Sequence, residues 1–322
     1  MGLLDFMYAP FDITTNVGCS VACVYCPQQK FIQAYTAKSS VLQLGFDVFC
    51  SCLDKIPVDT LICFAGMSEP WLNSKCTEMI IHAHKKGYKV AAFTTLVGLK
   101  PEDIGLLENI PFAWFCLHLP NAIDSENIKV TDDYVDLVAR VSQSRIQKIE
   151  YQTVLAQLHP KLKTVLKDKS VALIYPHSKA GNVSENILKA SKRKKGKIRC
   201  VRNLDWWELL PNGDVLVCCL DFGMKHVLGN LITSDYQSLF SSQERLKIKQ
   251  GLLDPSIDIL CRYCDAFADN ADFLSRFQNT HLPKLNNRLR NCRSWREIFQ
   301  LGNKINKKIM NKMNRTFNYK YE

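Results

Sequence analysis

Three closely spaced cysteines near the start of the chain constrain its fold and chemistry more than any other feature. Cys19, Cys23 and Cys26 have C-x3-C-x2-C spacing and follow a strand-like run over residues 11–17. Cysteine thiolates at such short spacings typically hold an iron–sulfur cluster. Four ligands close a structural zinc site, whereas three leave one iron of a four-iron cluster open to a substrate or cofactor.

Cysteine usage elsewhere in the chain supports a metal-binding protein. The 322 residues include 14 cysteines, no run of 18 or more apolar residues, and no secretory signal at the start. Clustered cysteines in such a chain more often bind metal than form disulfides. We therefore expect a cytoplasmic protein without a transmembrane segment.

Strand-like and helix-like segments alternate over the first half of the chain. Strands are predicted at residues 11–17, 60–65, 88–94, 112–119, 148–155 and 171–175, with helices at 41–53, 77–84, 101–107, 132–141 and 161–166. This alternation predicts an α/β fold whose parallel sheet is either a partial barrel or doubly wound. Ligands bind at the carboxyl ends of such strands, so we expect the loops that follow them to converge on one face.

A second group of cysteines lies beyond a basic boundary at residues 190–197, which we interpret as a solvated linker. Asn212 and Gly213 between apolar runs predict a hairpin within this region. The same spacing also fits a zinc ribbon. The cysteines expected to converge here are Cys200, Cys218, Cys219, Cys261 and Cys264.

The C-terminal tail carries most of the net charge of +11. From Arg276 to the end of the sequence there are twelve Lys or Arg and two Glu, a net charge of +10. Its apolar residues predict an amphipathic helix. We favour packing against the protein's own core, and a membrane surface or protein partner is the alternative. The apolar positions are Leu282, Leu285, Leu289, Trp295, Ile298, Phe299, Ile305 and Ile309.

Both cysteine patterns resemble those of one superfamily. The first, with Tyr25 before its last cysteine, is similar to the signature of the radical S-adenosylmethionine (SAM) superfamily. The second, C-x12-G-x4-C from Cys200 to Cys218 and C-x2-C from Cys261, resembles the SPASM or twitch auxiliary-cluster domain of that superfamily. The resemblance implies a partial (β/α)6 TIM-like barrel at residues 1–188, a small β-hairpin/helix iron–sulfur domain at 189–271, and a basic helical tail at 272–322.

The resemblance also implies cofactors and their ligands. Cys19, Cys23 and Cys26 are the implied ligands of a [4Fe-4S] cluster whose fourth iron chelates SAM. An electron from an external donor such as flavodoxin or ferredoxin would cleave SAM to methionine and a 5′-deoxyadenosyl radical. Seven further residues are implied SAM contacts, with Gly66 and Glu69 at the amino group: Tyr25, Gly66, Glu69, His118, Gln152, Ser178 and Gly181.

One auxiliary cluster is implied rather than the two of a full SPASM domain, because no cysteine lies between Cys264 and Cys292. Its implied ligands are Cys200, Cys218, Cys261 and Cys264. Cys219 is the alternative to Cys218, since neighbouring side chains on a strand point to opposite faces.

The expected function is abstraction of a hydrogen atom from a sugar-like or cyclitol-like small molecule, with oxidation or epimerisation as the outcome. Maturation or epimerisation of a ribosomally synthesised peptide is the alternative. We expect it less, because only 18 residues precede Cys19. RNA modification through the basic tail ranks behind both. A zinc-binding interaction protein is the non-enzymatic alternative.

Overall fold

The computed structural model describes residues 10–183, 192–200, 202, 204–265 and the strand at 267–268. Residues up to Phe267 belong to one compact unit, and only this unit is considered further. The predicted tail helix over residues 282–309 lies outside the described residues. In the described part of the chain, no helix is both long enough and apolar enough to cross a membrane.

Six parallel strands follow one another in chain order across the sheet, which confirms the predicted α/β fold. A sheet in which each strand lies beside the next in sequence is that of a barrel, because a doubly wound sheet reverses its order. The strands are β1 (Pro10–Ile13), β2 (Leu61–Phe64), β3 (Lys89–Thr94), β4 (Phe115–His118), β5 (Ile149–Val154) and β6 (Val171–Ile174).

Most helices connect these strands and cover the outer face of the sheet. The first helix, α1, was not predicted, because its sequence QQKFIQAYT is largely polar and buries only Gln28, Phe31 and Tyr35. Short 3-10 turns lie at Pro70–Leu72, Pro101–Asp103, Gln237–Ser241 and Leu260–Tyr263. The helices are α1 (Gln28–Thr36), α2 (Phe46–Leu53), α3 (Cys76–Lys85), α4 (Ile104–Leu107), α5 (Asp132–Gln143), α6 (Pro160–Val165) and α7 (Gln243–Leu253).

The two faces of the sheet bury different side chains. Ile62 and Phe64 of β2 join the main core between sheet and helices. The alternate residues Leu61 and Cys63 form a separate small cluster with Ala91 of β3, on the inner face of the barrel. Phe93 and Trp114 also pack against this inner-face cluster.

The C-terminal region continues the sheet of the barrel. A hairpin of β8 (Glu208–Leu209) and β9 (Asp214–Leu216) turns at Asn212 and Gly213 as predicted, and β10 (Val227–Asn230) follows. Strand β8 pairs in parallel with β1, so the sheet extends from the barrel into this region. A short strand, β7 (Arg199–Cys200), lies outside this sheet. The predicted boundary near residue 188 stays a prediction.

Candidate active site

The first cysteine group occupies the loop between β1 and α1. Cys19, Cys23 and Cys26 are half-buried and form no disulfide. Two successive turns shape the loop, since the Ala22 N–H donates to the Cys19 carbonyl at 3.3 Å and the Cys26 N–H to the Cys23 carbonyl at 2.9 Å. All three cysteines line one open pocket of about 340 Å³. The structure therefore brings the three predicted ligands together.

Burial disfavours the ionised form of these three thiols. It raises the pKa of Cys23 to about 12 and that of Cys26 to about 11, and it also raises the pKa of Cys19. Metal binding requires thiolates and releases their protons. Three sulfur donors around an open pocket fit a cluster that keeps one iron exposed, and the charge of that cluster would offset the cost of ionising them.

Gly66 lies in the loop after β2, where both the backbone conformation and the neighbouring side chains require glycine. Its φ is +88°, and a Cβ at this position would overlap the side chains of Glu208 and Thr14. The next residue, Met67, donates its N–H to Thr14 Oγ1 at 3.0 Å. Glycine here therefore allows the β2 loop to lie directly against the side chains of β1 and β8.

Glu69 is buried and fully hydrogen-bonded within the protein. Its Oε1 accepts from Thr94 Oγ1 at 2.6 Å and from the Trp71 N–H at 3.3 Å. Its Oε2 accepts from the N–H and the hydroxyl of Thr95, at 2.6 and 2.7 Å. Burial raises the pKa of Glu69. Glu69 thus ties the β2 loop to the end of β3, while its contact with the SAM amino group stays a prediction.

Tyr25 lies between the cysteine loop and the loop after β4. Its hydroxyl donates to Glu126 Oε1 at 2.7 Å, and Ser125 Oγ donates to the same oxygen at 3.0 Å. Glu126 is buried, and its Oε2 has no hydrogen-bond partner among the described residues. Sequence analysis missed Glu126 because no motif contains it. Its place in a loop after a strand was the one available signal.

His118 and Gln152 lie side by side at the ends of β4 and β5, as partners in strand register. Their side chains are in contact through His118 Nε2 and the Gln152 amide. Burial lowers the pKa of His118 to about 4, and the positive charge of Lys179 acts in the same direction. The imidazole is therefore neutral at pH 7. Contact of this pair with the SAM ribose stays a prediction.

Three successive residues with positive φ shape the segment after β6: Lys179 at +50°, Ala180 at +55° and Gly181 at +77°. Ser178 anchors the turn, because its N–H donates to Asp265 Oδ2 at 2.7 Å and its hydroxyl accepts from the Gly181 N–H at 3.1 Å. The contact with Asp265 joins this segment to the second cysteine region.

The same segment borders both cysteine groups. Asn182 and Val183 line the open pocket of the first group. Ala180 lines the cavity of the second group, and Asn182 also donates to the Leu220 carbonyl at 3.0 Å. The residues predicted to contact SAM at Ser178 and Gly181 therefore lie in a segment that links the two groups.

Four cysteines of the second group surround one cavity with an apolar wall formed by Ala180, Leu220 and Leu260. Cys219 does not line this cavity. Its sulfur accepts from Arg202 Nη1 at 3.1 Å. No three His, Cys, Asp or Glu side chains in the described ranges are placed to hold a single metal ion. Four thiols spread around a cavity fit a four-iron cluster. They are Cys200, Cys218, Cys261 and Cys264.

Comparison with known proteins agrees with this geometry. Residues 200–265 match the model of the SPASM family, an iron–sulfur cluster-binding domain. The chain is similar in structure to BtrN in complex with AdoMet and 2-DOIA, with a TM-score of 0.53 and 14% identity, over 80% of this chain and 93% of that chain. It is also similar to native anSMEcpe with bound AdoMet and Kp18Cys peptide, with a TM-score of 0.54 and 14% identity, over 88% of this chain and 99% of that chain. No curated protein sequence matches the chain.

These findings show the fold of the protein. The chain has the fold of the two solved structures named above, and residues 200–265 match an iron–sulfur cluster-binding domain. The expected fold is thereby confirmed, and the iron–sulfur match falls on the second cysteine group, where a cluster was predicted.

Proposed function

We propose that this protein cleaves SAM reductively and uses the 5′-deoxyadenosyl radical to abstract a hydrogen atom from a small sugar-like or cyclitol-like molecule. The observation that carries the proposal is the placement of the two cysteine groups. An open group of three and an enclosed group of four flank one short segment, residues 178–183. This arrangement suits a reaction that begins at the open site and passes an electron to the enclosed one.

The chain's own residues would bind and orient the reactants. A [4Fe-4S] cluster on Cys19, Cys23 and Cys26 would supply the electron that cleaves SAM. Asn182 and Val183 form the opposite wall of that pocket and would position SAM there. We assign to the SAM site the further residues Tyr25, Gly66, Glu69, His118, Gln152, Ser178 and Gly181.

The interior of the barrel favours a small substrate. Leu61, Cys63 and Ala91 on its inner face are buried against Phe93 and Trp114, so this face of the sheet is shielded from water. A buried space suits a compact molecule whose radical must be shielded from water. A peptide side chain reaching in from outside is the second candidate, favoured by the open pocket at the first cysteine group.

The proposal includes an electron donor and a location. Flavodoxin or ferredoxin would reduce the cluster, and a reducing cytoplasm would keep the cysteines free. None of the cysteines in the described part of the chain forms a disulfide. A contact of the basic tail with a membrane surface or partner stays a prediction.

Metal analysis and a cleavage assay on protein purified without oxygen would test the function. We expect about eight irons per chain, as two four-iron clusters require. With SAM and dithionite, the protein should release 5′-deoxyadenosine. Stoichiometric zinc without visible absorbance, together with no 5′-deoxyadenosine, would favour a zinc-binding interaction protein instead.

A further inference from the structure

Two carboxylates lie next to each other inside the barrel. Asp12 of β1 and Glu208 of β8 are partners in the parallel register of these strands. Their neighbours Phe11, Ile13 and Leu209 belong to the main core outside the sheet. Side chains alternate along a strand, so Asp12 and Glu208 point to the inner face. Asp12 is 3% exposed and Glu208 is fully buried.

Each carboxylate has one oxygen with a partner and one without. Asp12 Oδ2 accepts from Trp206 Nε1 at 2.7 Å, and Glu208 Oε1 accepts from the Thr14 hydroxyl. Asp12 Oδ1 and Glu208 Oε2 are buried and accept no hydrogen bond from an N–H or O–H group among the described residues, although the Cys63 thiol also faces Asp12. None of the ion pairs within those residues includes either carboxylate.

This arrangement is costly unless a ligand completes it. A buried charge without a close partner destabilises a fold by several kcal/mol. Burial raises the pKa of both carboxyls, and the negative charge of Asp12 raises that of Glu208 further. The positive charge of Arg202 offsets only part of the rise at Asp12. The fold nevertheless makes room for the pair, because any side chain at Gly66 would overlap Glu208. Perturbed, paired acids in an enclosed space are typical of functional sites.

The pair is linked to the cavity of the auxiliary cysteines on one side and to the β2 loop on the other. Trp206, which donates to Asp12, also lines the cavity of the four auxiliary cysteines. Arg202 stacks on the Trp206 ring at 4.1 Å and directs its Nη1 at Cys219 rather than at a carboxylate. On the other side, Thr14 and Gly66 connect Glu208 to the β2 loop. A substrate held here would lie near the auxiliary cysteines and the β2 loop.

We propose that Asp12 and Glu208 together bind a primary ammonium group of the substrate. Its N–H groups are donors for both unpartnered oxygens, and its charge offsets that of the carboxylates. A hydroxyl at the same place donates one hydrogen bond and leaves the charge uncompensated. This inference rests on the proposed function and adds that the substrate is an amine.

Matched pairs of probe molecules, with and without an ammonium group, would test this proposal. Their binding to the reconstituted full chain would be measured by calorimetry, without reductant so that no SAM is cleaved. The small-molecule pair is trans-2-aminocyclohexanol and trans-cyclohexane-1,2-diol, and the peptide pair is a pentapeptide with a central Lys and one with norleucine. We expect the ammonium member of a pair to bind at least about tenfold more tightly. The pair that shows this preference identifies the source of the amine. Equal binding within both pairs, or no binding of any probe, would overturn the proposal.

The variants Asp12→Asn and Glu208→Gln should each lose this tenfold preference, while the exposed control Glu150→Gln should keep it. A second readout needs no ligand. Each substitution removes a buried carboxyl that is costly to ionise and keeps one acceptor oxygen for Trp206 or Thr14. Each variant should therefore melt at a higher temperature than the wild type. A lower melting temperature with unchanged preference would mean a structural role only.

Failure of this inference is distinguishable from failure of the proposed function. Absence of 5′-deoxyadenosine release would refute SAM cleavage without affecting amine binding. Loss of amine preference in the wild type would refute the carboxylate site without affecting SAM cleavage.

Discussion

The first cysteine group stands in an open pocket, whereas the second encloses a cavity. Cys19, Cys23 and Cys26 all come from one loop, with the polar residues Gln28 and Asn182 along the same pocket. The four cysteines of the second group come from β7, from the residues after β9, and from the Leu260–Tyr263 turn and the residue that follows it, and the wall around them is apolar. One loop thus carries three predicted ligands beside an open pocket, while three separate segments carry the four predicted ligands around the cavity.

This difference in exposure shows how two groups of cysteine ligands in one chain can serve different chemical roles. An open site can exchange a small molecule, and a closed site keeps its coordination and tunes its potential through burial. The shared border at residues 178–183 keeps the two sites close in space. The experiments below separate the two roles.

Removal of the open group should have the largest effect. Replacing Cys19, Cys23 and Cys26 by Ala should reduce 5′-deoxyadenosine release to background, since no thiolate remains to hold the cluster. Iron should fall from about eight to about four per chain, because the auxiliary ligands are untouched. Chromatography of the products and iron analysis would measure both. Continued SAM cleavage by this variant would show that the open group is not the radical-generating site.

Removal of the enclosed group should have a more selective effect. Replacing Cys261 and Cys264 by Ala should also remove about four irons, yet SAM cleavage without substrate turnover should stay within severalfold of wild type. Turnover of the true substrate should be lost. Cys50→Ala, on α2 and half-buried, is the control for removing a thiol. Equal loss of both activities in the double variant would mean that the two sites do not have separate roles.

The features predicted from sequence are those that local patterns encode. The six strands were found because buried parallel strands are short apolar runs. The first cysteine group was found because its cysteines are closely spaced. The second was found because its cysteines flank a predicted hairpin. The carboxylates of Asp12 and Glu208 were missed because their residues lie far apart in sequence. Only the pairing of β8 with β1 brings them together, and no local pattern encodes that pairing.

The same limit applies to single residues in the candidate site. Gly66 was predicted from a motif, but its contact with Glu208 depends on the same long-range pairing. Glu126 belongs to no sequence motif. Its hydrogen bond with Tyr25 forms only because the cysteine loop and the loop after β4 lie together in the fold. Helix α1 was missed because few of its side chains are buried, so its apolar periodicity is weak.

Gly66→Ala tests the junction between the two groups and should have an intermediate effect. A Cβ there overlaps Glu208 and Thr14, and a φ of +88° disfavours alanine. We expect a loss of roughly 2–5 kcal/mol in unfolding free energy. Denaturant unfolding would measure it. Gly105→Ala is the matched control, since its Cβ would meet no atom within 4 Å. Equal stability of the two variants would contradict the close approach at Gly66.

The smallest expected effect is a pH dependence from His118, whose neutral form is maintained by burial. The positive charge of Lys179 contributes to this, and it also offsets part of the rise that burial causes in the pKa of Cys26. The folded pKa of about 4 lies below the ordinary value of 6.5. Stability from the neutral imidazole is therefore present above about pH 6.5 and is lost as the pH falls toward 4.

Melting temperatures at pH 7 and pH 5 would detect this contribution. The wild type should lose more stability between the two pH values than His118→Gln, because the variant has no imidazole to protonate. The difference between the two proteins isolates His118 from the carboxyl groups that titrate in the same range. Proton NMR should show one imidazole that stays neutral down to about pH 4 and is absent from the variant. An imidazole at position 118 that titrates near pH 6.5 would mean that the ends of β4 and β5 are open to water.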